Sequence, residues 1–158
     1  MDYILDGGPC QVGIESTVLS LVNEIPVLLR PGGISRQQIE ELIGLITSLE
    51  QQPRGAHPSP GMHPRHYSPR TALYLVCDGH VPIQGRGAYL QISLPPLAGV
   101  SEVVTMPSEA AAYAARLYDV LHTLDGRGYD WIAVETPGSG PEWEGVLDRL
   151  QRAANSEA

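Results

Sequence analysis

The chain has 158 residues, a formal net charge of −8 and an apolar share of 42%. This suits one globular domain, or one domain with part of another, and the acid excess argues against binding nucleic acid through a broad basic face. No apolar run approaches the roughly 20 residues that a membrane span needs, so neither a span nor a signal peptide is expected.

All ten basic residues are arginine. Chemistry that requires an amine side chain is therefore excluded within this polypeptide. Cys10 and Cys77 show no metal or redox spacing. They read as buried small apolar residues rather than a disulfide, which suits a reducing cytoplasm.

In chain order, Tyr3-Ile4-Leu5 reads as a short strand entering a glycine turn. Gly7, Gly8 and Gly13 let the backbone approach a ligand or take up positive φ. Ser16 and Thr17 open the apolar run Val18–Val22, and Arg30 closes a second run, Ile25–Leu29. The two runs read as strands joined at Asn23-Glu24, with Pro26 marking an edge or irregular start. Two strand ends would then present hydroxyls and a planar guanidinium at one mouth. That is an anion-binding arrangement, pointing to a nucleotide or a carboxylate.

Ser35 followed by Gln38 makes a capping-box pattern. Ile39, Leu42, Ile43, Ile46 and Leu49 share one face at helical spacing, which predicts a helix over Arg36–Glu50. Residues 1–50 alone are a poor independent unit. The helical stripe must pack against the rest of the chain or a partner.

Residues 51–71 contain five prolines, three histidines, three arginines and no acidic residue. Such a segment is extended and semi-rigid, and reads as a connection between residues 1–50 and 72–158. Its histidines, His57, His63 and His66, lack a cysteine partner and are interrupted by prolines, so no protein-bound metal is expected.

Beyond it lie strand-like runs at Leu73–Cys77, Ala88–Leu94 and Val103–Thr105. Ser108 is placed to cap a helix reaching about Leu124, with Tyr113, Leu117, Val120, Leu121 and Leu124 facing inward. Trp131–Val134 reads as a buried strand, with Asp130 and Glu135 as its polar ends. Pro137–Gly140 lacks the G-K-[ST] ending of a phosphate loop and reads as a turn. A final helix carries Val146, Leu147, Leu150 and Ala154 on one face. Strands alternating with helices argue for a layered α/β sheet, Rossmann-like in general form.

The motifs also resemble a known family. Asp6–Val18 (DGGPCQVGIESTV), followed by Leu28–Ser35 (LLRPGGIS), is similar to the end of the catalytic domain of threonylcarbamoyl-AMP synthases, the YrdC-like family. Pro58–Pro69 (PSPGMHPRHYSP) resembles the linker of its two-domain members, and DWIAVE…DRLQRAA resembles their C-terminal domain. The resemblance implies an α/β chain in three parts. These are the last strands and helix of a YrdC-like domain (1–50), a linker (51–71) and a Rossmann-like accessory domain (72–158).

It further implies L-threonine, bicarbonate and ATP as substrates, with Mg2+ accompanying ATP, and threonylcarbamoyl-AMP and pyrophosphate as products, for modification of tRNA. Ser16 would bind L-threonine. Arg30 would contact ATP phosphates. Tyr67 would close over the nucleotide, with Arg65 and His66 favouring an anion beside it. The family's catalytic domain extends well upstream and includes a lysine that has no counterpart here, so full activity of this chain alone is not expected.

Three readings stand at this point. The chain is the C-terminal part of a synthase, truncated or completed in trans by a separate N-terminal half. Or it is a non-catalytic module, a monomer or a symmetric homo-oligomer, that binds nucleotide or a protein partner and regulates a separate complete synthase. A hydrolase using Ser16 as nucleophile is disfavoured, because GIEST lacks G-x-S-x-G and no base is evident.

Overall fold

A computed structural model describes residues 3–8, 11–48, 68–82, 84–97 and 99–154. Arg65, His66 and Tyr67, the other linker histidines and Cys10 lie outside the described residues. The elements in order are β1 (Val18–Ser20), β2 (Val27–Arg30), α1 (Arg36–Ile43), β3 (Thr47–Ser48), β4 (Ala72–Val76), β5 (Gly87–Gln91), β6 (Glu102–Thr105), α2 (Ala110–Asp125), β7 (Trp131–Glu135) and α3 (Glu144–Ala154).

They form two sheets. The first has the order β1-β2-β3, with β1 antiparallel and β3 parallel to β2. The second has the order β4-β7-β5-β6 and every pair in it is parallel. The expected α/β character with a parallel sheet is present.

The second sheet is built by alternation. Leu73, Ala88, Leu90, Ile132 and Val134 face the helices and join Tyr113, Leu117, Leu121, Leu124, Val146 and Leu150 in the main core. Tyr89, Trp131 and Ala133 point to the opposite face, where Val76, Val81 and Val100 pack on them. All five positions expected to face inward on α2 are buried. Its N-cap is Glu109 rather than Ser108, and makes no side-chain capping bond.

The helix at residues 36–50 is corrected. The capping box forms as expected, Ser35 accepting from the Gln38 N–H and Gln38 from the Ser35 N–H. The helix nevertheless ends at Gly44, whose φ of 82° an L side chain rarely adopts. Arg36 then donates to the Ile46 carbonyl at 2.5 Å and to Ser48 Oγ at 3.0 Å. Glu40 accepts from the Ile46 N–H at 3.3 Å. These bonds fold the chain back, so Ile46 is fully buried and Thr47 pairs with Val27.

Of the predicted stripe, Ile46 enters a strand approach, Leu42 and Ile43 lie on open surface, and Leu49 lies outside the described residues. Helix α1 buries none of its residues, and Leu42 is 86% exposed. Neither does the C-terminal portion cover it. Cys77 is exposed, contrary to the reading of a buried thiol, because it sits just past the end of β4. No described helix is long and apolar enough to cross a membrane.

Candidate functional site

Ser16 lies two residues before the start of β1, and Arg30 ends β2. The antiparallel register pairs Val18 with Arg30, which carries the arginine back toward the segment before β1. Arg30 donates from Nε and Nη2 to the Ser16 carbonyl oxygen, at 3.2 and 3.0 Å. Its Nη2 also lies 3.5 Å from Ser16 Oγ. The two residues singled out in the sequence are thus neighbours. Arg30 is 7% exposed, whereas Ser16 is open to solvent.

Thr17 locks the following turn in place. Its hydroxyl donates to the Ile34 carbonyl at 2.6 Å and accepts from the Ile34 N–H at 3.2 Å. Gly32, inside that turn, has no room for a side chain: a Cβ would lie 2.3 Å from the Thr17 nitrogen. The Pro-Gly-Gly turn therefore rests against the backbone of residues 15–17.

The glycine-rich turn is corrected in part. Gly8 has a φ of 82°, as a turn of this kind needs. Gly13 serves packing rather than ligand approach, because a Cβ there would lie 2.0 Å from the Ala114 carbonyl oxygen. The chain at Gly13 is pressed against helix α2.

The next two residues continue that contact. Ile14 enters the main core at 8% exposure. Glu15 accepts from Arg149 Nε at 2.6 Å and from the Tyr118 hydroxyl at 3.2 and 3.3 Å. Arg149 also bonds Asp148, and Asp148 in turn accepts from Arg152 at 2.8 and 2.9 Å. Arg149 itself is 6% exposed, so the Glu15–Arg149 pair is a largely buried bridge between α3 and the segment before β1.

Burial works against ionisation of Glu15. The hydrogen bond and charge of Arg149, with hydrogen bonds from the Glu15 backbone and Tyr118, together outweigh it and hold the carboxyl below its usual range. Burial first, and then the Glu15 carboxylate, push the Tyr118 phenol upward. Removing one partner of such a bridge typically costs about 3–5 kcal/mol, because the other charge is left buried and unpaired.

Sequence reasoning missed Arg149 and Tyr118. A signal for Arg149 was available: it sits between Val146 and Leu150 on the buried stripe of α3, where a charge needs a partner. Nothing in the spacing named Glu15, 134 residues away, as that partner.

A second omission is Glu135, read as a polar strand end. It is 5% exposed, and its carboxylate accepts from the N–H groups of Ile92, Ser93 and Leu94 and from the Ser93 hydroxyl. Near Arg30, a cavity of about 340 Å³ opens between β2 and α3, lined by Leu28, Leu29, Pro31, Glu144, Asp148 and Arg152 among others. A hydroxyl beside a guanidinium, both at strand ends, suits a small substrate that carries donors and an anionic group.

Comparison with known proteins relates the chain to a family. Residues 34–155 match the family model described as threonylcarbamoyl-AMP synthase, C-terminal domain. A threonylcarbamoyl-AMP synthase of Bacillus subtilis (strain 168) is 37% identical, the match covering 96% of this chain and 48% of that protein. The Pyrococcus abyssi protein of the same name is 30% identical over 98% of this chain and 49% of its own length.

Among solved structures, P. abyssi Sua5 complexed with L-threonine superposes with a TM-score of 0.79 at 28% identity. It is covered over 48% of its length, by 94% of this chain. A variant of that protein with an adjacent histidine and tyrosine both changed to alanine gives a TM-score of 0.78 at 26% identity. The chain spans about half the length of the curated relatives it matches. A family match over most of the described core, carried by a fold that agrees, leads to one conclusion: this chain belongs to the threonylcarbamoyl-AMP synthase C-terminal domain family.

Proposed function

We propose that this chain is the C-terminal portion of an L-threonylcarbamoyladenylate synthase, acting in the threonylcarbamoyladenosine modification of tRNA. The reaction joins L-threonine, bicarbonate and ATP into threonylcarbamoyl-AMP and pyrophosphate. The observation that carries this reading is the contact between Ser16 and Arg30, which brings the two expected substrate contacts to one place.

In this reading the Ser16 hydroxyl binds L-threonine, and Arg30 offsets negative charge on the ATP phosphates during adenylyl transfer. Magnesium enters with ATP, on its phosphates, and no residue here is assigned to it. The threonine complex of the P. abyssi relative supports the amino-acid assignment. The His/Tyr variant of that relative supports interest in His66-Tyr67, the one adjacent His-Tyr pair in this sequence, with Arg65 beside it. Residues 1–50 then complete a YrdC-like α/β catalytic domain, residues 51–71 link, and residues 72–158 form a Rossmann-like accessory layer.

Residues 3–45 expose Ile4, Leu5, Val22, Leu42 and Leu45 at 69–100%. Apolar side chains this exposed fit a surface that further polypeptide covers. They favour completion by further polypeptide of a synthase over a self-contained regulatory module.

The test is pyrophosphate release from ATP with L-threonine and bicarbonate. The chain would be assayed alone, then mixed with a separately produced N-terminal half of a family member. Release only in the mixture, abolished by Arg30→Ala, is the expected result. Failure of the mixture, with binding of both halves shown by gel filtration, would refute the proposal.

A further inference from the structure

We infer that Arg149 and Tyr118, on the helices of the C-terminal layer, are positioning residues for the Ser16–Arg30 pair. This rests on the reading of that pair as substrate contacts. The carrying observation is that consecutive residues are each held by a different device. Gly13 lies against the backbone of α2, Ile14 is sunk in the core, and Glu15 is gripped by Arg149 and Tyr118.

Ser16 comes next, and its carbonyl oxygen receives two donors from Arg30. Each residue has only two soft backbone dihedrals. With residues 13–15 anchored, few rotations remain between the Glu15 side chain and the Ser16 carbonyl. The guanidinium of Arg30 is therefore aimed by a carbonyl whose place is set from α3, 134 residues further along the chain than Glu15.

Arg149 is itself oriented. One arm goes to Glu15 and the other to Asp148, and Asp148 is bonded to Arg152 one turn on. A planar fork can serve two carboxylates at fixed angles, whereas an ammonium would not hold that geometry. The accessory layer thus acts on the substrate contacts through two successive bonds, without touching substrate.

The experiment follows the Arg30 Nε–H in 1H–15N spectra of the full chain, its signal assigned by loss in Arg30→Lys. Arg149→Met and Glu15→Leu should each speed exchange of that proton with solvent by about tenfold, and weaken L-threonine binding, read by calorimetry with the N-terminal half present, by a similar factor. The double variant should do no more than Glu15→Leu alone, since both substitutions remove the same Arg149–Glu15 bond. Tyr118→Phe should shift the same signal in the same direction by less, and keeps the test in hand should Arg149→Met fail to fold.

Arg149 acting for stability alone would lower the melting temperature and leave both the Arg30 signal and the threonine affinity unchanged. That result overturns the inference. Absence of threonine binding by the unmodified chain mixed with the N-terminal half would count against the proposed function, while the Arg30 exchange rates would still decide the positioning.

Discussion

Glu135 offers the sharpest test of how the parallel sheet is held at its C-terminal edge. Its Oε2 accepts the Ile92, Ser93 and Leu94 N–H groups at 2.5, 2.9 and 3.0 Å, and its Oε1 accepts the Ser93 hydroxyl at 2.8 Å. In Glu135→Gln an amide oxygen can take the Oε2 place and keep all three N–H partners, and the Ser93 hydroxyl can turn to accept. Only the charge assistance is lost, at a cost of about 1–2 kcal/mol.

Glu135→Ala removes the acceptor altogether. Ser93 and Leu94 are open to solvent, so water refills part of the nest and the cost stays near ~2–4 kcal/mol rather than the sum of separate bonds. Urea unfolding of the two variants at pH 7 measures both values.

The pH dependence has a definite sign. Burial opposes ionisation of Glu135, but the backbone donors of Ser93, Ile92 and Leu94 and the Ser93 hydroxyl together outweigh it and lower its pKa below the ordinary carboxylate value. The stability it contributes is therefore complete above that ordinary value and is lost as pH falls through the folded-state value. The gap between the native chain and Glu135→Gln should close on acidification. A gap that is absent at pH 7, or constant down to pH 3, would refute the argument.

Other outcomes follow from the packing. Gly13→Ala drives a methyl into the backbone of α2 and should cost about 3 kcal/mol or more in urea unfolding, with Ile14 lifted from the core. Tyr113→Phe should be neutral or stabilising by about 1 kcal/mol in thermal melts. The buried phenol oxygen has no hydrogen-bond partner among the described residues, and the edge-on contact with Trp143 at 5.5 Å survives the change. Ser35→Ala should cost α1 about 1 kcal/mol, seen as faster amide exchange at Gln38 and Ile39 with little change in global unfolding, because the helix buries nothing.

Much of the architecture was legible because its signals are local. The period of 3.6 placed Tyr113, Leu117, Val120, Leu121 and Leu124 on the inner face of α2, and they are buried. The run from Trp131 is buried at every position, as a central strand of a parallel sheet requires. The capping box located the start of α1 to the residue. Its end was misplaced because Ile46 fits the helical period as well as it fits the buried approach to a strand. Glycine at 44, with Arg36 and Glu40, one turn apart, both bonded to the Ile46 backbone, decided between them.

The candidate site divides in the same way. Ser16 and Arg30 were recognisable from the sequence, since a hydroxyl before one apolar run and a guanidinium after the next meet whenever the runs pair as a hairpin. The clamp behind them was not. Glu15, Tyr118 and Arg149 are joined across more than a hundred residues, and such a bond leaves no period, spacing or composition to read. The chain alone determined its α/β elements, its acid balance and the side chains proposed to hold an anion. Only the tertiary structure decided which charges are buried together, because desolvation and pairing depend on distances that exist only once α2 and α3 lie against the segment before β1.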